Sequence, residues 1–366
     1  MPRKRILLVG GGHAHLAMIR RRRQWKHEVL LLSPDTHWYS GRITQVLAGL
    51  SEPVESTLDV ADQCHQHGVG YRQGEIARLL PEKRLVELTT GGRLAYDVLS
   101  LNLGSETATS DDLKPDGRRV FSTKPLSQFG ELRQRIKRFA TGGRTAHVAI
   151  VGSGASAIEC AFALTVLGRG SPVDVTLIHR PGDWRDGSVG GELKGRLEQA
   201  GVTLHEGEVI QSERQGDSIL LKTTEPVVPK LPTRIDFVLL ATGLRPPAIV
   251  AGLGLPTDDA GRIRCDRHLR VVGRDDIFAA GDCMTFEPSP QPANGVVAVR
   301  QGQLLAKNLP AAADGGPLHD FKPQRRYLQL LLTGRRSAHL RYGGLHSTGP
   351  WWLWLKRRLD SDWLRG

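Results

Sequence analysis

The sequence lacks any apolar run close to the roughly 18 residues that span a bilayer. The apolar stretch Ile6–Val9 follows a basic start, but it is too short for a signal peptide, and glycines stand where a cleavage site would be. We therefore expect a protein that stays in the cytoplasm. The alternative is peripheral attachment to the inner face of the cell membrane through the C-terminal helix.

Cysteine is scarce and scattered, which argues against two further classes of protein. Only four cysteines occur among 366 residues, and no two of them form a CxxC or CxxxxC pair. A redox-active dithiol built from near neighbours and a zinc finger both need such spacing. Scattered thiols are instead typical of a reducing compartment.

Acidic residues are outnumbered by basic ones, and the formal net charge is +12. Such a charge attracts anions, including phosphate-bearing cofactors. The densest basic run, residues 20–23, is interpreted as the solvated end of the first helix, where cations suit the helix dipole. Because no zinc finger or RNP sequence accompanies it, we expect no nucleic-acid partner.

A pattern of apolar strand, glycine turn and helix occurs twice. Residues 6–9 precede a glycine turn at 10–12, and residues 147–151 precede a second turn at 152–154. The turns begin 142 residues apart (152 − 10), so the pattern is a twofold repeat of a large unit. Strands that alternate with helices in this way predict an α/β fold with two Rossmann-like dinucleotide-binding domains.

A dinucleotide-binding turn needs small residues at three points: for the sharp turn, for close approach to the pyrophosphate, and for helix packing. The helix that follows then offers its N–H groups and its positive dipole end to the phosphates. The residues at these points are Gly10, Gly12 and His15 in the first turn, and Gly152, Gly154 and Ala157 in the second. A metal at His13 and His15 lacks a third ligand, so we expect these rings to bond locally to backbone or cofactor.

The acidic residue expected about 20 residues after each glycine turn, where it would bind the ribose hydroxyls, is missing from both copies. Ser33 and Pro34 occupy the first position, and a serine can still bond to ribose. His179 and Arg180 occupy the second, and a cation there suits the 2′-phosphate of NADPH. NADPH is then at least as good a substrate as NADH, unless Arg180 is simply a surface arginine beside a turn.

Three further motifs carry a family resemblance. Residues 276–282 (DIFAAGD), 239–243 (LLATG) and 99–105 (LSLNLGS) resemble motifs of the flavoprotein superfamily that includes glutathione reductase and type II NADH dehydrogenase. The resemblance implies the glutathione reductase-like fold, with FAD in one domain and NAD(P)H in the other. It also implies that Asp282, next to Gly281, binds the ribityl chain of FAD.

A narrower resemblance is carried by residues 10–16, 39–41 and 295–302. These are similar to dehydrogenase-like flavoproteins sometimes fused ahead of selenide, water dikinase, although no kinase domain is present here. Glu159 then matches a catalytic glutamate near the nicotinamide and flavin rings, the alternative being an ordinary helix glutamate. The remaining expected cofactor-binding residues are Gly41, Ile76, Gly104, Gly243, Gly295 and Val296.

The sequence departs from these relatives at three places. The disulfide pair of glutathione reductase is absent, which argues against disulfide reduction. Residues 295–300 (GVVAVR) keep neither glutamine of the AQxAxQ quinone motif, which puts a quinone acceptor in doubt. Ala293 replaces a lysine that would stabilise the reduced flavin ring.

The resemblance also implies a domain division. We expect a discontinuous FAD-binding domain at residues 1–110 and 244–325, and an NAD(P)-binding domain at 111–243. A C-terminal segment at 326–366 then ends in an amphipathic tail.

The C-terminal tail is rich in tryptophan and in basic residues. On a helix, an apolar stripe about 120° wide is predicted to contain Trp351, Trp352, Leu355, Leu359 and Trp363. A stripe of this kind beside basic residues is typical of a helix that lies on a membrane surface. The alternative is a terminal helix docked on the body of the protein or on a second subunit.

The sequence therefore predicts an FAD-dependent NAD(P)H oxidoreductase. Hydride would pass from the nicotinamide to the flavin, and electrons would then pass to an acceptor such as a membrane quinone. Two rivals remain: a ferredoxin- or rubredoxin-type reductase with an acidic protein partner, and a flavin-binding sensor with incidental turnover. The sequence names neither the acceptor nor the oligomeric state.

Overall fold

The structure, a computed structural model, describes residues 2–21, 25–110, 113–185, 187–224, 231–232 and 234–366. Its helices are α1 (His13–Arg20), α2 (Ile43–Leu47), α3 (Val60–Gln66), α4 (Gln128–Phe139), α5 (Ala155–Leu167), α6 (Val189–Gln199), α7 (Gly295–Asp314) and α8 (Pro350–Arg365). Its strands are β1 (Arg5–Val9), β2 (Glu28–Ser33), β3 (Thr36–Trp38), β4 (Thr57–Asp59), β5 (Gly70–Gln73), β6 (Ile76–Leu80), β7 (Leu85–Leu88), β8 (Arg93–Ala95), β9 (Val98–Leu101), β10 (Glu106–Thr107), β11 (Val120–Ser122), β12 (Ala146–Val151), β13 (Val173–His179), β14 (Val202–Glu206), β15 (Val209–Gln215), β16 (Ser218–Thr223), β17 (Phe237–Leu240), β18 (Leu244–Arg245), β19 (Ile263–Cys265), β20 (Ile277–Ala279), β21 (Met284–Phe286), β22 (Leu328–Gly334), β23 (Ser337–Tyr342) and β24 (Leu345–Gly349).

The chain divides into two compact units. The first consists of Met1–His37, Leu58–Glu106 and Leu244–Arg325, and the second of Trp38–Thr57, Thr107–Gly243 and Arg326–Gly366. Two segments are grouped differently from the predicted division, because residues 38–57 and 326–366 both belong to the second unit. Residues 38–57 belong to the second unit because α2 packs on α4 and α5 and buries Ile43, Val46 and Leu47 in the core of that unit.

The first unit is built on a five-stranded parallel sheet in the order β20-β9-β1-β2-β5. Its central strand, β1, buries Ile6, Leu7 and Leu8 completely, as expected when helices cover both faces of a parallel sheet. Helices α1 and α7 pack together in this unit. A separate antiparallel sheet is formed by β6, β7 and β8, with Gly91 and Gly92 in the predicted turn.

The second unit repeats the same arrangement. Its five-stranded parallel sheet has the order β11-β17-β12-β13-β14, and the central strand β12 again leads into a glycine turn and a helix. The antiparallel sheet β22-β23-β24 and helix α8 complete this unit, with α5 packed on β22 and α8 on β23. The predicted α/β class with two Rossmann-like units is therefore confirmed.

Helix α8 is present where the tail was predicted to be helical, and the predicted stripe divides between exposed residues (Trp351 and Leu359) and partly buried ones (Trp352, Leu355 and Trp363). Its buried face consists of Leu353, Lys356 and Asp360. Trp352 is partly buried against the core of the second unit, and Trp363 stacks on Tyr39 with centroids 6.1 Å apart. One face of α8 is therefore docked on the second unit, as the alternative interpretation predicted, and the opposite face is exposed. Among the described residues, none of the helices combines the length and the apolar character needed to cross a bilayer.

Candidate dinucleotide sites

The first glycine turn is shaped by a close approach of two backbone segments. Gly10 has φ of +94°, and a Cβ there would lie 2.3 Å from the carbonyl oxygen of Asn102. Only glycine tolerates this position, since any side chain would meet backbone. Helix α1 begins three residues later with Gly12 as its N-cap residue, so its first N–H groups lie at the carboxyl end of β1. This arrangement is suited to binding a pyrophosphate.

Asn102 organises the turn, although the sequence did not single it out. Its Nδ2 donates to the carbonyl of Ala280 at 2.9 Å, and its backbone N–H donates to Val9 at 2.8 Å. It therefore joins the ends of β1, β9 and β20. The available signal was an asparagine placed directly after the buried strand β9, inside the motif at residues 99–105.

The ring of His15 bonds to backbone, which is one of the two kinds of partner expected for it. The ring is fully buried, with Nδ1 2.7 Å from the carbonyl oxygen of Gly10 and Nε2 2.8 Å from Oγ of Ser100. Burial lowers its pKa to about 4. Both ring nitrogens are thus used inside the protein, and His15 braces the turn from behind.

Asp282 is half-buried and held in a fixed position. Oγ of Ser105 donates to Oδ2 of Asp282 at 2.8 Å, and the N–H of Gly281 donates to Oε1 of Gln301 at 2.7 Å. A carboxylate presented in this way fits a polyhydroxyl chain, which agrees with the role implied for Asp282. Ser105 and Gln301 were missed as site residues, although both lie in segments that carry the family resemblance.

Helix α7 begins close to this carboxylate in sequence and space. Gly295 is its first residue, and Oδ1 of Asn294 caps it by accepting the N–H of Val297 at 2.9 Å. Asn294, Val297 and Asp282 line one small pocket. The N–H groups of Gly295 and Val296 lie in the first helical turn, where no intrahelical partner is available. They are suited to bonding with a flavin carbonyl.

The other expected FAD contacts in the first unit occupy different environments. Ser33 ends β2 and is 3% exposed; its Oγ would lie 2.5 Å from a Cβ at Gly11, so it faces the turn. Pro34 is exposed directly after it, and Gly104 lies between Asn102 and Ser105. Ile76 belongs to the hydrophobic core, so only its backbone is available to a cofactor. 

Gly41 lies in the second unit, not the first. Its carbonyl oxygen accepts a hydrogen bond from Nζ of Lys356 at 2.6 Å. A Cβ at Gly41 would lie 2.6 Å from the ring of Tyr39. The need for glycine here is therefore explained by packing within the second unit.

The second glycine turn opens a cleft of about 520 Å³. Gly152 has φ of +145°, and a Cβ there would lie 2.2 Å from the carbonyl oxygen of Ala241, which repeats the geometry of the first turn. A Cβ at Gly154 would meet nothing within 4 Å, so this residue faces open space in the cleft. The predicted residues that line the cleft are Gly152, Gly154, Arg180 and Gly243.

Ala157 and His179 do not line this cleft. Ala157 is fully buried in α5, which suits the third position of the turn, where close helix packing is needed. His179 stacks on Trp184 with centroids 4.0 Å apart and an interplanar angle of 11°. Nε1 of Trp184 in turn donates to the carbonyl of Ser153 at 2.9 Å. His179 therefore supports the wall of the cleft.

Two acidic residues reach the cleft, although the sequence had placed none there. Glu208 lies 3.2 Å from Nη2 of Arg180, and Asp183 accepts a hydrogen bond from Oγ of Ser153. Glu208 follows β14, the strand next to β13 in the sheet, and this neighbour relation was the signal that could have found it. The positive charge of Arg180 is therefore partly neutralised by the carboxylate of Glu208.

Glu159 lies on α5 within a buried polar network. Its Oε1 accepts the N–H of Leu332 at 2.8 Å and lies 3.6 Å from Nζ of Lys356. Its side chain is 13% exposed, and it does not line the dinucleotide cleft. Asp360 lies 4.0 Å from the same lysine, so Lys356 is balanced by two carboxylates.

The four cysteines are all free and buried. Burial raises the pKa of every one of these thiols, to about 12 for Cys64 and Cys283. Since the thiolate is the reactive form, these residues are poor nucleophiles at neutral pH.

Two glycine-turn units of the same design define a protein that binds two dinucleotides. Residues 4–302 match the family model described as pyridine nucleotide-disulphide oxidoreductase, and the chain belongs to this family. It is thus an FAD-dependent NAD(P)H oxidoreductase, as predicted, and FAD and NAD(P)H are its cofactors.

Individual relatives match over most of their length. A demethylphylloquinone reductase of Synechocystis sp. is 25% identical over 98% of this chain and 91% of that protein. A type II NADH:quinone oxidoreductase of Staphylococcus saprophyticus is 23% identical, covering 87% and 85% of the two chains. The ferredoxin–NAD(+) reductase component of a dioxygenase from Photorhabdus laumondii is 26% identical, and the match covers 79% of this chain and 72% of that protein.

A solved structure shares the fold. The sulfide:quinone oxidoreductase of Aquifex aeolicus superposes with a TM-score of 0.81 at 14% identity, covering 98% of this chain and 90% of that one. At this level of identity the likeness concerns the fold alone.

Proposed function

We propose that the first unit holds FAD, that the second holds NAD(P)H, and that the electron acceptor is a membrane quinone. The observation that carries the acceptor is an exposed tryptophan surface at the C-terminus. When bound, FAD supplies the redox chemistry by accepting a hydride and releasing electrons to the acceptor. The protein supplies binding, orientation and access.

In the first unit the proposed binding residues act on different parts of the cofactor. The glycine turn at residues 10–12 and the start of α1 hold the pyrophosphate. Asp282, fixed by Ser105, accepts hydrogen bonds from the ribityl hydroxyls. The N–H groups at the start of α7 donate to the flavin ring, and Asn294 keeps that helix terminus ordered.

In the second unit the cleft at the glycine turn holds NAD(P)H. Gly152 and Gly154 allow the backbone to approach the pyrophosphate, and Arg180 lies where the adenine-side ribose of a dinucleotide is expected. Glu159 lies outside this cleft, so its proposed role as the carboxylate beside the reacting nicotinamide requires the nicotinamide end of the cofactor to extend beyond the cleft. Lys356 and the N–H of Leu332 hold this carboxylate in one position.

The tryptophan surface consists of Leu345, Trp351, Trp354 and Leu359. These side chains are 71%, 75%, 53% and 43% exposed, respectively. Trp351 and Trp354 contact each other edge to face, with centroids 6.3 Å apart. Two exposed tryptophans in contact indicate an interaction site more strongly than apolar residues scattered singly over a surface.

Charge and ring type favour a membrane as the partner of this surface. Tryptophan is enriched at the level of lipid headgroups, where one edge of the indole is apolar and the other polar. The guanidinium of Arg358 lies 5.6 Å from the centre of the Trp354 ring, and Arg357 is exposed beside it. Each basic residue near an anionic leaflet contributes about 1 kcal/mol. Two relatives of this chain are named for quinones, which are lipid-soluble acceptors.

The test compares acceptors and membranes together. We expect NAD(P)H oxidation to be faster with a quinone in anionic vesicles than with ferredoxin or with oxygen alone. Trp351→Ser with Trp354→Ser should reduce vesicle co-sedimentation and the quinone rate, while the rate with ferricyanide in solution stays unchanged. Val54→Ser is the matched control, because Val54 is 75% exposed and lies outside the tryptophan surface.

The alternative acceptor is a soluble ferredoxin, favoured by the net charge of +12 and by the ferredoxin–NAD(+) reductase relative. Faster turnover with ferredoxin, together with no effect of the tryptophan substitutions, would exclude the quinone proposal. No turnover with any acceptor would contradict the enzyme activity itself.

A further inference from the structure

Three potential metal ligands meet in the second unit, away from the dinucleotide cleft. Glu192 lies in the first turn of α6, His339 on β23 and His346 on β24. One ligand atom from each of these side chains lies within 4.8 Å of the others. Among the described residues, no other group of three or more His, Cys, Asp or Glu side chains brings its ligand atoms close enough together to hold one metal ion.

The hairpin β23–β24 explains why the two histidines meet. His339 pairs with Thr348 across the antiparallel ladder, and His346 pairs with Arg341. Residues two apart on a strand point to the same face, so the two imidazoles are diagonal neighbours on one side of the sheet. Their ring centroids are 5.9 Å apart.

His339 is prepared as a ligand by its surroundings. It is 2% exposed; Nδ1 lies 2.8 Å from Oγ1 of Thr348, and Nε2 lies 3.2 Å from Oε2 of Glu192. If Nδ1–H donates to the threonine, the lone pair of Nε2 points at a carboxylate oxygen, an arrangement that a bound cation stabilises. A hydrogen bond from the second ring nitrogen is the usual support for a metal-bound histidine.

We propose that Glu192, His339 and His346 form a zinc site with a fourth position open to water. Two imidazoles and one carboxylate are an established ligand set for Zn²⁺. Ligand atoms bound to one zinc ion are at most about 4.2 Å apart, so the exposed His346 must move inward by a small side-chain rotation. Bound zinc would fasten the β23–β24 hairpin to α6.

Arg341 shapes the site without occupying it. Its Nε lies 3.4 Å from Oε1 of Glu192, and its Nη2 donates to the carbonyl of Gly187. The guanidinium therefore faces one carboxylate oxygen, and the other oxygen faces His339. Zinc would bind through this second oxygen.

The test is zinc binding by the full chain. Protein stripped with a chelator is dialysed against buffered free zinc in the micromolar range, and bound metal is measured by elemental analysis. We expect about one zinc ion per chain and a higher Tm in the presence of zinc. His346→Ala and Glu192→Gln should each abolish stoichiometric binding, and circular dichroism establishes that they fold.

The matched control is His65→Ala, which removes an exposed histidine from α3 in the first unit. This variant should bind zinc as the wild type does. Thr348→Val should weaken zinc affinity about 10- to 100-fold by removing the partner of Nδ1. Wild-type protein without stoichiometric zinc, or equal binding by folded His346→Ala, would overturn the proposal. Neither result depends on the oxidoreductase activity.

Discussion

The pair Arg180–Glu208 leads to the sharpest prediction about the nicotinamide cofactor. Arg180 alone predicted a preference for NADPH, but Glu208 lies 3.2 Å from it and lines the same cleft. The 2′-phosphate of NADPH would bind to Arg180 and be repelled by Glu208. Glu208→Gln should therefore raise the NADPH/NADH ratio of kcat/KM, and Arg180→Ala should lower it.

The magnitude follows from the exposure of the pair. The two side chains are 67% and 52% exposed, so their interactions are close to those in water. Two unit charges about 5 Å apart in water interact by about 0.8 kcal/mol. A phosphate ester carries between about 1.5 and 2 charges at neutral pH, which gives about 1.2–1.6 kcal/mol. The NADPH/NADH ratio should thus rise about tenfold in Glu208→Gln at low salt.

The assay is steady-state oxidation of both cofactors by wild type, Arg180→Ala, Glu208→Gln and the double variant. Glu213→Gln on β15 is the control, because it removes a carboxylate outside the cleft. The shift in Glu208→Gln should shrink at high salt, since exposed charges are screened. If the ratio is unchanged in both single variants, the pair does not contact the 2′-phosphate and the preference has another origin.

Three further outcomes are expected. Asp282→Ala should weaken FAD binding by about 1.5–3 kcal/mol through loss of a charge-assisted hydrogen bond; a flavin titration with unchanged Kd would contradict this. Gly152→Ala should abolish NAD(P)H binding, because its Cβ would lie 2.2 Å from a backbone oxygen, while FAD content stays constant; normal KM values would refute it. His15 has a pKa of about 4 when folded and 6.5 when unfolded, so the unfolded chain binds the extra proton between these values. The free energy of unfolding should therefore fall by about 3 kcal/mol as the pH drops from 6.5 to 4, and the full stability is present above pH 6.5. In urea unfolding, His15→Gln should lose less of this free energy than the wild type over the same pH range.

Much of the fold could be predicted because its signals are local. The central strand of each parallel sheet, β1 or β12, is a short apolar run that ends at a glycine turn, and both turns were found from the sequence. The strand pairing was implied by this repeat, since a βαβ unit brings its two strands side by side. The grouping of residues 38–57 with the second unit was not predictable, because it depends on α2 packing against helices more than 70 residues away.

The candidate sites show the same limit. Gly10, Gly152 and Asp282 could be named because their roles are set by backbone turns and by motifs a few residues long. Asn102 and Glu208 were missed because their partners are distant in sequence and are brought close only by the sheet.

The C-terminal helix illustrates why periodicity alone misassigned a face. A stripe of tryptophan and leucine was predicted as the apolar face, yet the buried face contains Lys356 and Asp360 beside Leu353. These charges are accommodated because Lys356 meets Glu159 and the carbonyl of Gly41, while Asp360 accepts bonds from Tyr39. A buried charge costs little only when its partners are already in place, and those partners come from other segments. Leu353 packs inwards beside these charges, whereas Trp351, Trp354 and Leu359 point outwards. The same polar contacts that dock the helix therefore also create the tryptophan surface proposed to meet the membrane.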